Sequence, residues 1–125
     1  MSLVNKQITD LVKNNLEYHD KTLCTKIKFD KSFVGFSGHF PDNPVLPGVI
    51  MIKVMTVMYE LFKEKKYRLA QIKQAKFIEP ILNDAIVNFF ITINSENDNI
   101  ILQGKILKSE KIVSKISLVL QEKLL

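Results

Sequence analysis

His39 opens a segment, GHFPDNPVLPGVIMIKVM at residues 38–55, that holds most of the chemistry the chain can offer. Its imidazole is a proton acceptor near neutral pH. Pro41, Pro44 and Pro47 follow, each with a fixed φ angle, so the loop carrying His39 has little slack. Gly48 then starts an apolar run. An N–H in the first turn of a helix has no intrahelical partner and has the positive end of the helix dipole behind it. Without a side chain, Gly48 lets a carbonyl oxygen approach that N–H closely. A rigid loop holds a reactive side chain in place, and such an N–H is a ready polarising site for a thioester oxygen. One charged side chain, Lys53, sits within the first turns of the apolar run.

The elements that must position these groups are legible from periodicity. Leu3, Ile8, Leu11 and Val12 have helical spacing, giving a short helix within residues 3–15. TLCTKIKF, residues 22–29, alternates as a strand, with Cys24 and Lys26 on one side and Leu23, Thr25, Ile27 and Phe29 on the other. An irregular loop follows from Asp30 to Pro47. Pro47 fits the first position of a helix, where its missing N–H does no harm. From Gly48 to about Lys63 the helix is apolar almost all round and should be buried on most sides. KEKKYR, residues 63–68, marks its exit to solvent. Strands are expected at Ile72–Ile78, Asp84–Asn94, Ile100–Leu107 and Ile112–Gln121, with turns at SENDN and KSEK. Gly104 inside a strand indicates a bulge or a close approach. Short connections favour antiparallel neighbours. The economical packing is a sheet wrapped around the apolar helix, a single α+β domain over residues 1–125.

Composition narrows the function. The chain is 46% hydrophobic and 25% charged, as a globular protein is. Cys24 is its one cysteine, which rules out an internal disulfide framework or a Cys-rich zinc site. Cys24 reads as a small buried hydrophobe, and a cytoplasmic setting fits. MSLVNKQITDLVKNN lacks the apolar core of a secretory signal. The longest apolar run, Val45–Leu61, is interrupted by Pro47, Gly48, Lys53 and Glu60, so no membrane span is expected. The net charge is +5, with Arg68 the only arginine and the lysines scattered. Nucleic-acid readers carry focused, arginine-bearing patches, so the excess suits a solvated surface or an acidic partner.

GHFPDNPVLPGV resembles the signature of the 3-hydroxyacyl-acyl-carrier-protein dehydratases of the FabZ/FabA type. The agreement covers Gly38, His39, Phe40, Pro41, Pro44, Val45, Pro47, Gly48 and Val49, while Asp42 replaces a common glycine. AKFIEPILNDAIV, residues 75–87, resembles the family's downstream motif at Lys76, Phe77, Pro80 and Asp84, with Leu82 and Asn83 in place of proline and glycine. With the strand order, the likeness covers about residues 22–121. It implies the hot-dog fold, a curved antiparallel sheet around one long buried helix, and a homodimer. It implies reversible dehydration of a 3-hydroxyacyl thioester to a trans-2-enoyl thioester, in fatty acid or related acyl-chain synthesis. The substrate would ride on acyl carrier protein or coenzyme A, without metal or redox cofactor. His39 would be the base and the Gly48 N–H the carbonyl donor. Phe40, Pro47, Val49, Met51 and Phe77 would line the acyl site.

In that family an acid on the helix protonates the leaving hydroxyl, and it comes from the opposite subunit. Its place here is taken by Lys53. An ammonium ion can donate that proton, and burial would make it a better acid. Alternatively the acid comes from elsewhere, or the enzyme is an acyl thioesterase. Glu60 is two turns from Lys53, about 10 Å along the axis, and Asp42 lies nearer His39 in sequence. In a third reading the domain binds an acyl group or carrier protein without turnover, and Lys53 snorkels or neutralises an anion. His19 reads as a surface residue. Tyr18, Tyr59 and Tyr67 read as packing, and Met51, Met55 and Met58 as core or the wall of an acyl tunnel.

Overall fold

A computed structural model describes residues 2–36 and 45–124. His39, Phe40 and Asp42 lie outside the described residues.

Helix α1 spans Leu3–Lys13 and is capped by Ser2, whose side chain accepts from the Asn5 N–H at 3.2 Å. Its apolar stripe buries Ile8 and Val12. Strands β1 (Glu17–His19) and β2 (Thr22–Lys28) form a hairpin whose turn holds Asp20 and Lys21 at positive φ. The alternation predicted for residues 22–29 is observed: Leu23, Ile27 and Phe29 are buried, while Lys26 is exposed. The short β1, and a 3-10 turn at Val34–Phe36, were not expected from periodicity. Three residues are too few to show a period.

Helix α2 runs Gly48–Lys63, as expected at both ends but for one residue. Pro47 is the N-cap, with ψ 144°, rather than the first helical residue, and its carbonyl accepts from the Ile50 N–H at 3.0 Å. Glu64 ends the helix in the left-handed region at φ 56°. The chain then enters β3 (Tyr67–Phe77), which begins five residues before the expected strand. The lysine-rich segment before Ile72 hid its start. Strands β4 (Ile86–Glu96), β5 (Asn99–Lys108) and β6 (Lys111–Glu122) follow. Both connecting turns use positive φ, at Asn97 and at Ser109 and Glu110.

The strands form one antiparallel sheet in the order β1-β2-β4-β5-β6-β3. α2 packs on one face, where Leu23, Phe89, Ile91, Leu102, Ile116 and Leu118 meet Val54, Met55 and Met58 in a single core. This is the expected α+β, helix-on-sheet arrangement. Gly104 is a point of close approach and no bulge. It stays in register with Ile91 and Ile116, and a Cβ there would lie 2.6 Å from Met55 Cε. The register shifts fall elsewhere, in β3 and at Ile106/Leu107.

Candidate active site

Two loop segments converge on the start of α2. The Leu46 N–H donates to the Ile81 carbonyl at 2.8 Å, and Val45 bridges to Leu82. On the other side of that segment, the Ile78 and Glu79 N–H groups both donate to the Val113 carbonyl. The two sequence motifs are thus tied to one another and to β6. With Leu46 and Ile81 buried, the tie fixes where Gly48 emerges.

Gly48 lies under the ring of Phe77. A Cβ at position 48 would stand 2.5 Å from Phe77 Cζ. Helix geometry leaves the Gly48 N–H without an intrahelical acceptor. The described atoms nearest to a Cβ at position 48 thus belong to an aromatic ring that is itself 50% exposed. A helix start that could polarise a carbonyl lies beside a half-exposed apolar ring.

Lys53 is half-buried, and Val49 is 56% exposed. They mark the open side of a helix that is otherwise buried, as expected of one covered on most sides. The α2 residues Val49, Lys53, Thr56, Val57 and Glu60 make one uncovered stripe with helical spacing. The stripe borders a groove of about 310 Å³, shared with Tyr67 and Leu69 of β3 and Asn5 and Thr9 of α1. Among the described residues, no carboxylate lies within ion-pair distance of Lys53. Lys53 comes five positions after Gly48, which places them about 140° apart around the helix. The structure therefore brings Gly48 and Phe77 together and turns Lys53 away from them.

Glu60 and Tyr59 have structural roles. Glu60 Oε2 accepts from the Tyr67 N–H at 2.9 Å and anchors the start of β3. Tyr59 is buried against Tyr67, with ring centroids 4.9 Å apart. Burial first, and Tyr67 second, push the Tyr59 phenol up to about 12. His19 is exposed and sits 3.2 Å from Glu17. Met51, Met55 and Met58 are core. Pro47 is half-buried at the helix start. Cys24 is half-buried on the outer face of the sheet rather than in the core, and burial raises its thiol pKa.

The fold and this helix start define a hot-dog domain. The profile of the ApeI-like family, the ApeI dehydratases, matches residues 15–116. The chain belongs to that family, and membership gives it the chemistry class of a dehydratase-type hydro-lyase. Among curated relatives, a 3-hydroxyacyl-[acyl-carrier-protein] dehydratase FabZ of Lactobacillus helveticus is 28% identical, over 89% of this chain and 84% of its own. A FabZ of Rickettsia bellii is 25% identical, over 80% and 81%. Two solved structures share the fold. One is the dehydratase heterocomplex ApeI:P of Xenorhabdus doucetiae (18% identity, TM-score 0.69, 82% of this chain and 89% of that one). The other is a hypothetical thioesterase with coenzyme A from Streptococcus pneumoniae (12%, TM-score 0.67, 94% and 95%).

Proposed function

We propose that the chain catalyses reversible loss of water from a 3-hydroxyacyl thioester of acyl carrier protein or coenzyme A, as a dimer. The observation that carries this reading is Gly48, at the open start of α2 under a half-exposed ring, in a chain of a dehydratase family. The thioester carbonyl displaces Phe77 and accepts from the Gly48 N–H, which makes the C2 proton more acidic. His39 takes that proton. The electron pair forms the C2=C3 double bond as the C3–O bond breaks. Lys53 of the facing subunit gives its proton to the departing hydroxyl, which leaves as water. His39 then loses its proton and Lys53 regains one from solvent, so no step calls for a metal or redox cofactor. Phe40, Pro47, Val49, Met51 and Phe77 make the acyl wall in this account. A cytoplasmic setting, expected from the lone cysteine, belongs to it too.

The dimer is argued from β3. This eleven-residue strand is an edge of the sheet, exposed on both faces after Tyr67. It presents Leu69, Ile72 and Phe77, all exposed, and Leu69 shares the groove with the α2 stripe. A long apolar edge is a template for pairing. Pairing β3 with β3 of a second copy would cover it and carry Lys53 toward the partner's Gly48. Lys53 also supports a second reading, in which the facing subunit is an unlike hot-dog chain that supplies a carboxylic acid.

The test is an assay of hydration and dehydration on carrier-linked enoyl and 3-hydroxyacyl substrates, with the natural chain, His39→Ala and Lys53→Glu. The natural chain is expected to interconvert the two. His39→Ala should lose about 10²-fold or more in rate, as for a general base. Lys53→Glu should lose activity if the ammonium is the acid. An inert natural chain that gains activity as Lys53→Glu would favour the unlike-partner or binding role. Release of free acid would mark a thioesterase.

A further inference from the structure

The pairing register lines up one residue from every strand on the sheet's outer face: Glu17, Cys24, Phe90, Lys105, Lys115 and Lys76. Three lysines thus stand directly opposite one another on β5, β6 and β3. Like charges in cross-strand pairs destabilise a sheet. Among the described residues, no carboxylate lies within ion-pair distance of any of the three. Lys105 and Lys115 also line a shallow groove of about 1010 Å³ with Lys73, Thr92 and Gln103. The unneutralised row crosses a face that folding leaves bare.

We propose that this row docks an acidic carrier protein, the bearer of the thioester; the inference rests on the dehydratase reading. Charge complementarity commits the occupant. A row of cations with hydrogen-bonding neighbours suits an anionic protein surface and speeds its encounter. A lipid surface would call for apolar anchors around the lysines, and Phe90 is the one large apolar side chain in the row that is exposed. Position supports the same occupant. Lys76 immediately precedes Phe77 on β3, so one points outward while the other lies on Gly48. A flexible pantetheine arm from a carrier on the row would round the C-terminal end of β3 to reach the Gly48 N–H.

The experiment titrates holo acyl carrier protein of the same organism against the full chain, against Lys105→Glu/Lys115→Glu, and against Lys6→Glu/Lys13→Glu. The last pair, exposed on α1, makes the same change in net charge. The row variant should weaken binding about tenfold or more, and the α1 variant should do far less, since local complementarity outweighs net charge. The KM for a carrier-linked substrate should rise with it, while turnover of a small N-acetylcysteamine thioester stays unchanged. Row-dependent binding by a chain that turns over neither substrate would sink the dehydratase reading and uphold the docking surface. Equal loss in both variants, or loss in neither, overturns the docking surface. So does row-dependent binding to phosphatidylglycerol vesicles without binding to the carrier. Melting of the row variant should stay close to that of the natural chain, because the pair of positions 105 and 115 remains like-charged, the pair with Lys76 turns favourable, and the core is untouched.

Discussion

Gly48 is where a single methyl group separates the chemistry from the packing. A Cβ there meets Phe77, which is half-exposed and can move, so the fold should survive Gly48→Ala. In the proposed site the same methyl would crowd the approach of the thioester oxygen to the Gly48 N–H. We expect Gly48→Ala to lower kcat/KM by about tenfold to a thousandfold, the range for a weakened oxyanion donor, with a melting temperature close to that of the natural chain. Steady-state kinetics beside a thermal melt would check both halves. Tyr59 makes a separate prediction. Its folded pKa, about 12, is above the ordinary tyrosine value of 10.0. Its contribution to stability is therefore full below pH ~10 and lost as pH rises through ~12. Urea midpoints followed across that window should fall less steeply for Tyr59→Phe than for the natural chain.

At the scale of elements, sequence pattern located α2 to within a residue and β2, β4, β5 and β6 to within two. Their periods run long enough to be read. The short β1 and the first half of β3 escaped notice, because β3 is exposed on both faces after Tyr67 and so shows no inside-outside alternation. A strand with no covered face is itself informative. Replacing Leu69 and Ile72 with lysine should leave the monomer folded and abolish the dimer, a change that sedimentation velocity would register. The lysine row was illegible for another reason. Lys76, Lys105 and Lys115 look scattered in sequence, and only the register of three strands aligns them. Lys115→Glu would put an anion between two cations. It should raise stability by about 0.2–1 kcal/mol, measurable by denaturant titration. Gly104→Ala acts on the opposite face, where the added methyl meets Met55 in the core. It should lower stability by roughly 1–3 kcal/mol.

For the whole molecule, the candidate site was legible as a motif but not as a geometry. Sequence placed Gly48 at a helix start and Lys53 on the same helix. The structure adds that the two point about 140° apart, with Phe77 over one and an open groove beside the other. One chain cannot bring them to bear on a single substrate, and β3 is the edge along which two chains could. A composite site makes a demand that no single-chain site makes. Two inactive variants, one lacking the base and one lacking the ammonium, should restore one another when mixed. The decisive measurement is dehydratase activity after His39→Ala and Lys53→Ala chains are unfolded together and refolded at equal concentration. Random pairing in a symmetric dimer would rebuild about a quarter of the natural sites, and that recovery is the predicted result. A mixture no more active than either variant refolded by itself would contradict a site shared between subunits.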